Sequence, residues 1–175
     1  MNTSAPAAYA IAGGDGEVEK GYDRAKAVAY AKRWALSRNP AYLDYQGLGG
    51  DCTNFVSQCL YAGCGVMNYT PVYGWYYKDG NRRTASWTGV QYLYNFLMNN
   101  RSEGPWARVV ERDAVKLGDV VQLGFRGTPF THTALVVGLE DGEIYVAAHT
   151  LDAWWRPLSN YRQQNKRFLH VEVRE

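Results

Sequence analysis

The spacing of apolar residues changes once along this chain, close to Gly104-Pro105. Before that point apolar residues recur at steps of three and four, which is typical of amphipathic helices. After it they alternate with polar residues or form short runs between turn residues, which is typical of strands. Helices followed by strands predict an α+β domain in which N-terminal helices pack on an antiparallel β-sheet.

The first half of the chain predicts three helices after a short lead-in. Residues 1–20 are rich in alanine and glycine and are predicted to be a flexible leader. They lack the basic segment of a signal peptide, so cellular location stays open, with a secreted or envelope protein as one reading. The rest, residues 21–175, is predicted to be a single domain. Its helices are predicted over residues 22–37, 52–62 (ended by Gly63) and 88–99.

The second half predicts a sheet with one well-marked hairpin. Asp141-Gly142 has the residue types of a two-residue hairpin turn. Residues 151–165 are predicted to be a loop with a helical turn near residues 159–162. The predicted strands are residues 106–110, 120–123, 131–137, 144–149 and 168–173.

Composition excludes several classes of function. Of 175 residues, 46% are hydrophobic and 21% charged, which indicates a globular domain with a core. The net charge of +2 gives no electrostatic case for binding nucleic acid. No run of 18 apolar residues is present, so no membrane span is predicted. The oligomeric state stays open.

Cys52 is the candidate nucleophile. It follows Gly49, Gly50 and Asp51 and falls in the first turn of the second predicted helix. The helix N-terminus favours a thiolate, so we expect a lowered pKa for this thiol. Asp51 is interpreted as the N-cap of the helix. The alternative for Cys52 is an inert buried cysteine.

The other two cysteines, Cys59 and Cys64, are interpreted as small buried residues, with a disulfide between them as the alternative.

A cysteine nucleophile needs a base, and the hairpin selects it among three histidines. With Glu140 paired to Glu143, a continuous register puts His149 opposite Ala134. His132 and His149 then become diagonal neighbours on one face, whereas a slip of one residue would separate them. We interpret His132 as the general base and His149 as its orienting partner. His170 has no predicted partner and is interpreted as a surface or internally satisfied histidine.

Metal and cofactor sites are not predicted. Cys52, His132 and His149 lack the paired Cys or His spacing of a zinc site, and no glycine-rich phosphate loop occurs.

An aromatic segment, residues 73–77, could line a substrate-binding cleft. The candidate substrate-binding residues at this point are Asp51, Trp75 and Trp154.

Four segments of the chain resemble a known family. The run from Asp51 to Gln58 (Asp-Cys-Thr-Asn-Phe-Val-Ser-Gln) resembles the signature of bacterial "putative amidase domain" proteins. These belong to the papain-like group, with NlpC-type cell-wall endopeptidases and CHAP amidases. Thr53 stands where the NlpC-type pattern has Ser. The other segments are a Gly-Asp segment, a histidine strand and a third strand carrying a polar residue, here residues 117–121, 132–138 and 148–150.

The resemblance extends over about residues 21–170 and carries expectations for fold and chemistry. It implies a papain-like fold with Cys52 as nucleophile, His132 as base and His149 as orienter. Tyr45 would correspond to a tyrosine upstream of the cysteine in NlpC-type enzymes, which makes it a further candidate substrate-binding residue. The implied activity is hydrolysis of an amide bond in bacterial cell-wall peptides through an acyl-enzyme, so the partner would be a peptide or cell-wall fragment.

Two alternatives remain at this point. The first is acyl transfer by the same Cys-His site, with an amine in place of water. The second is a non-catalytic module that binds a glycan or peptide against aromatic side chains, namely Trp75, Tyr76, Tyr77, Trp154 and Trp155.

Overall fold

The computed structural model describes residues 21–174, so the predicted leader at residues 1–20 lies outside the described residues. Four helices precede the main sheet: α1 (Arg24–Trp34), α2 (Cys52–Cys64), α3 (Ala85–Thr88) and α4 (Val90–Asn99). Two short strands, β1 (Tyr77–Asp79) and β2 (Arg82–Arg83), lie between α2 and α3. The strands of the main sheet are β3 (Gly104–Val110), β4 (Val120–Gly124), β5 (Phe130–Glu140), β6 (Glu143–Ala148), β7 (Ala153–Pro157) and β8 (Asn165–Arg174).

The main sheet is antiparallel throughout, in the order β3-β8-β4-β5-β6-β7. Alternate residues of its strands enter two different apolar clusters, as expected of a sheet covered on both faces. Val120, Leu135 and Leu169 pack with the helices, whereas Val121, Ala134 and Phe168 pack with Val115 and Leu158 on the other face. The predicted α+β architecture, with helices packed on an antiparallel sheet, is confirmed.

Helix α1 is tied to the sheet at its first residue by a buried carboxylate. Arg24 donates to Oδ1 of Asp119 at 2.7 Å and to the carbonyl of Val171 at 2.6 Å. Asp119 is fully buried and also accepts from Nδ1 of His170 at 3.0 Å. His170 is therefore internally satisfied, and the Gly-Asp segment fastens the helices to the sheet.

Helix α2 continues past Gly63, contrary to the prediction that this glycine ends it. A Cβ at Gly63 would lie 2.5 Å from Cε2 of Tyr22 and 2.8 Å from the carbonyl of Asp23. The glycine thus permits close packing of α2 on the start of α1. The helix ends at Gly65, whose φ of 72° is the left-handed conformation of a C-terminal cap.

The β5–β6 hairpin contains a register shift that the sequence did not reveal. The turn forms at Asp141-Gly142 as predicted, with Glu140 opposite Glu143. Between Val136 and Gly138 the pairing slips by one residue, so Leu135 faces Ala147. The prediction that His132 and His149 share one face was therefore wrong, because a one-residue slip exchanges the faces of a strand.

The predicted loop at residues 151–165 contains strand β7 and a 3₁₀ turn, Leu158–Asn160. Trp155 on β7 packs over Gly138, where a Cβ would come within 2.4 Å of the indole ring. Because Gly138, at the register shift of β5, has no side chain, the Trp155 ring can pack there and β7 can pair at the sheet edge. Within residues 21–174, no helix has the length and apolar character needed to cross a membrane.

Candidate active site

Cys52 is the first residue of α2 and lies beside the start of β5. The hydroxyls of Thr53 and Thr133 lie 2.9 Å apart, which fastens the helix to the strand. Before the cysteine, Gly50 has a φ of 111°, and a Cβ there would be 3.2 Å from Oγ1 of Thr150. The same Thr150 hydroxyl accepts from the amide of Asp51 at 3.0 Å. The backbone on both sides of the thiol is thus fixed.

The pKa of the Cys52 thiol is raised, whereas the sequence predicted a lowered one. Burial is the main cause, since only 8% of the residue is exposed. Hydrogen bonds from the Thr133 main chain and from Thr53 lower the pKa in part. Cys52 is therefore a neutral thiol at neutral pH, and a nucleophilic role would require a base.

His132 is next to Thr133 on β5 and is almost fully buried, with 7% exposed. Burial, together with the nearby charge of Arg156, lowers the pKa of His132 to about 4. Its Nε2 atom is buried and has no hydrogen-bond partner within residues 21–174. Because this imidazole is neutral and one of its nitrogens is unpaired, it can accept a proton. His132 directly precedes Thr133, whose main-chain amide contacts the Cys52 thiol.

Tyr161 is a further candidate that the sequence reasoning missed. Its ring centroid lies 5.6 Å from that of His132, and the guanidinium of Arg156 lies 4.0 Å from the tyrosine ring centroid. Its hydroxyl is buried and has no well-aligned hydrogen bond among the described residues. Burial raises its pKa more than the neighbouring Arg156 lowers it, so the hydroxyl stays protonated. A lone tyrosine in a polar segment has no periodicity or motif by which it could be found.

His149 contacts Asp51 rather than His132. Its Nδ1 lies 2.5 Å from Oδ2 of Asp51, and its Nε2 lies 2.8 Å from the carbonyl of Trp34. The imidazole also stacks on Phe55, with centroids 4.1 Å apart. Both nitrogens are thus occupied, which leaves no ring atom to orient His132. The predicted pairing of the two histidines is corrected accordingly.

Asp51 is the N-cap residue of α2, as predicted, but its side chain makes no hydrogen bond to the helix amides. Oδ1 instead accepts from the amide of Tyr45 at 2.8 Å and from Nδ2 of Asn54 at 2.9 Å. Only 1% of Asp51 is exposed. With Oδ2 paired to His149, the carboxylate is fully used inside the protein and is not open to a substrate.

The other predicted substrate-binding residues lie in different surroundings. Trp75 is fully buried and donates from Nε1 to the Ser57 hydroxyl at 3.1 Å, so it belongs to the core rather than to a cleft. Tyr45 is 5% exposed, and its hydroxyl accepts from Nε of Arg83 at 2.8 Å. Trp154 is half-buried on β7 and keeps an exposed part.

The remaining cysteines are unpaired, in agreement with their interpretation as small buried residues. Cys59 is fully buried and Cys64 half-buried, and no disulfide joins them. Burial raises the pKa of Cys64 to about 11. Within residues 21–174, no three His, Cys, Asp or Glu side chains are grouped to hold a metal ion.

Comparisons with known proteins give a family and two relatives. The profile described as "putative amidase domain" matches residues 21–172. The "Uncharacterized protein YhbB" of Bacillus subtilis (strain 168) is 36% identical over 139 residues, covering 77% of this chain and 43% of that protein. The "Uncharacterized protein YjcM" of the same organism is 31% identical over 141 residues, covering 75% and 31%.

This chain therefore spans less than half the length of these curated relatives. No solved structure matches it. The family profile, in contrast, includes every residue described above as part of the candidate site, from Asp51 to Tyr161. By this match the chain belongs to the putative amidase domain family.

Proposed function

We propose that this protein is a cysteine amide hydrolase of papain-like architecture, with Cys52 as nucleophile and His132 as general base. The observation that carries the proposal is a buried thiol at the start of α2, in contact with the β5 backbone beside a histidine whose Nε2 is unpaired. The family description, an amidase domain, supports hydrolysis of a C–N bond as the reaction.

The proton states of the two groups define the chemistry. Because the pKa of Cys52 is raised and that of His132 is about 4, both are neutral before reaction. As Sγ attacks the carbonyl carbon, its proton passes to His132, which then protonates the departing amine. Water, deprotonated by the same imidazole, hydrolyses the thioester and regenerates the thiol. The amide of Cys52 is the proposed oxyanion donor.

Tyr161 is proposed to bind substrate beside His132. An unpaired buried polar group destabilises a fold by about 1–3 kcal/mol, so two of them side by side need a reason. A substrate carbonyl could accept from the Tyr161 hydroxyl, which stays protonated. The same substrate would fill the space next to the imidazole.

Asp51 and His149 are proposed as positioning residues. Their hydrogen bond connects the residue before the nucleophile to the end of α1 through the Trp34 carbonyl. This arrangement fixes the direction of the first turn of α2. His149 thereby acts on Cys52 through Asp51, and not on His132.

The proposed substrate class is a peptide amide of bacterial cell-wall material. Support comes from the resemblance of the segment around Cys52 to NlpC-type and CHAP enzymes. The partly exposed Trp154 is the remaining candidate for contact with such a substrate.

The test compares wild type with Cys52→Ala on purified peptidoglycan and on simple peptide amides, with released amines measured by mass spectrometry. We expect Cys52→Ala to lose about 10³-fold or more in rate. Cys64→Ala, which alters a half-buried cysteine on the last turn of α2, should retain wild-type activity. Equal amine release by wild type and Cys52→Ala would overturn the proposal.

Acyl transfer is the second candidate, and the burial of Cys52 favours it. With 8% of the residue exposed, water has limited access to a thioester, so a bound amine can compete. Adding amine acceptors to the same assay separates the reactions. A new amide product at the expense of free acid identifies a transferase.

A further inference from the structure

A groove of about 640 Å³ lies between the loop of residues 68–74 and helix α4. None of the residues of the candidate active site lines it. Its walls carry two exposed tyrosines, Tyr73 and Tyr92, with 85% and 61% of their surface accessible. Four amide side chains accompany them: Asn95 and Asn99 are exposed, whereas Asn68 and Asn100 are buried and hydrogen-bonded within the protein.

The loop wall of the groove is held by hydrogen bonds and close packing. Nδ2 of Asn68 donates to the Ser102 hydroxyl at 3.0 Å and to the Glu103 carbonyl at 2.9 Å. Gly74 is enclosed so tightly that a Cβ would lie 2.3 Å from the Asn68 carbonyl. Val72 is held at a φ of 66°, a strained conformation for a β-branched residue. Such strain is typical of loops that hold a ligand-binding shape before the ligand arrives.

The helix wall presents Tyr92, Asn95 and Asn99 at steps of three and four along α4. Residues at those steps lie on one side of a helix. Asn95 and Asn99 bond within the helix, from Gln91 to Oδ1 of Asn95 at 2.8 Å and from Nδ2 of Asn99 to the Asn95 carbonyl at 2.8 Å. These contacts orient the amides and leave each side chain further capacity for hydrogen bonds.

The chemistry of the lining selects the ligand. Among the residues that line the groove, Arg101 alone carries a charge, so an ionic ligand has little to pair with. Tyrosine rings offer flat apolar faces with a polar tip, and amides both donate and accept. A ligand with apolar faces, many hydroxyl or acetamido groups and no charge fits this set. We propose that the groove binds a neutral oligosaccharide, stacked on Tyr73 and Tyr92 and hydrogen-bonded by the exposed amides of Asn95 and Asn99.

This binding site goes beyond the proposed amide hydrolysis and does not depend on it. The loop leads directly into Trp75, whose Nε1 bonds to Ser57 in the middle of α2. The groove therefore has a fixed geometry relative to the helix that begins with Cys52. A glycan held there would keep a peptide attached to it close to this protein.

The experiment uses Cys52→Ala protein, so that binding is measured without turnover. The probes are N-acetylglucosamine tetrasaccharide and cellotetraose, titrated by calorimetry and by NMR shifts of side-chain amides. We expect saturable binding of at least one probe and shifts at Asn95 and Asn99. Tyr73→Ala and Tyr92→Ala should each weaken it about tenfold, the loss expected for removing a stacking ring.

The matched control is Tyr69→Ala, which removes a tyrosine of the same loop with 57% exposure whose side chain stacks on Tyr76 and does not line the groove. It should bind the sugar like the parent protein. Because Tyr73 and Tyr92 are exposed, their loss should leave the fold intact, which circular dichroism checks. Lack of binding by both probes at about 10 mM, or binding unchanged by both substitutions, would overturn the proposal. The same tyrosine substitutions made in protein that keeps Cys52 should hydrolyse simple peptide amides like wild type, which separates this binding site from the proposed activity.

Discussion

Nδ1 of His149 lies 2.5 Å from the carboxylate of Asp51, the residue directly before Cys52. A second Asp-His pair, Asp119 and His170, is found at the other end of α1. One pair holds the start of α1 through Arg24, and the other holds its end through the Trp34 carbonyl. Two of the three histidines thus fasten helices to the sheet, which leaves His132 for chemistry.

We expect His149→Ala to destabilise the protein by about 1–3 kcal/mol or more, because Oδ2 of the buried Asp51 carboxylate loses its hydrogen bond and keeps only Nε of Arg38, 3.8 Å away. It also removes the ring that stacks on Phe55. Urea unfolding measures the effect. The control is Arg82→Ala, which breaks an exposed pair with Asp79 and should change stability by less than about 1 kcal/mol. Equal effects of the two substitutions would contradict the structural role.

The pKa of about 4 at His132 predicts a stability change with pH. The unfolded imidazole titrates near 6.5, so between about pH 6.5 and 4 the unfolded chain binds the extra proton. Stability therefore falls as pH decreases through that window, by about 3 kcal/mol for this group.

His132→Gln isolates this contribution from those of other groups. The difference in unfolding free energy between pH 7 and pH 4 should be about 3 kcal/mol smaller in the variant than in wild type. Parallel pH profiles of the two proteins would show that His132 is not buried in its neutral form.

His132 should remain available as a general base, and the enzyme should therefore remain active, down to an unusually low pH. Because His132 loses its proton-accepting form only near pH 4, the acid limb of kcat/KM for a peptide amide should fall there rather than near 6.5. Arg156→Gln removes a positive charge that lowers the His132 pKa, so it should move the limb to higher pH. Rate profiles of both proteins check this, and an unmoved limb would exclude Arg156 as a cause.

Tyr161→Phe should lower activity without lowering stability. Its hydroxyl is buried and has no well-aligned hydrogen bond among the described residues, so its removal should leave stability unchanged or raise it by about 1 kcal/mol. If the hydroxyl binds the substrate carbonyl, kcat/KM should fall about tenfold to a hundredfold. Tyr30→Phe, which removes a hydroxyl bonded to Gln58 at 2.6 Å, should show the reverse pattern. Unchanged activity of Tyr161→Phe would exclude the substrate contact.

The sequence predicted most elements because their signals are local. The helix at Cys52 and the turn at Asp141-Gly142 follow from apolar spacing and turn chemistry over a few residues. The slip between Val136 and Gly138 does not, because it depends on Trp155, seventeen residues further along, packing over Gly138.

The candidate site likewise contains features that local sequence signals predict and features that depend on tertiary packing. Cys52 and His132 could be found from their places at a helix start and a strand start. The partner of His149 could not, since Asp51 and His149 meet only when α2 packs on the sheet. Likewise, the raised pKa of Cys52 is set by burial that comes from tertiary packing, and this outweighs the effect of the helix N-terminus.

Gly63→Ala should destabilise the protein even though alanine favours a helix over glycine by about 1 kcal/mol. The new Cβ would lie 2.5 Å from the Tyr22 ring and 2.8 Å from the Asp23 carbonyl, and a backbone atom cannot move aside cheaply. Overpacking of this kind costs about 1–3 kcal/mol or more, so we expect a net loss of about 2 kcal/mol. Gly47→Ala is the matched control, because its Cβ would meet no atom within 4 Å. Thermal unfolding should show a lower midpoint for Gly63→Ala alone, and a raised midpoint would mean that α1 and α2 do not pack this closely.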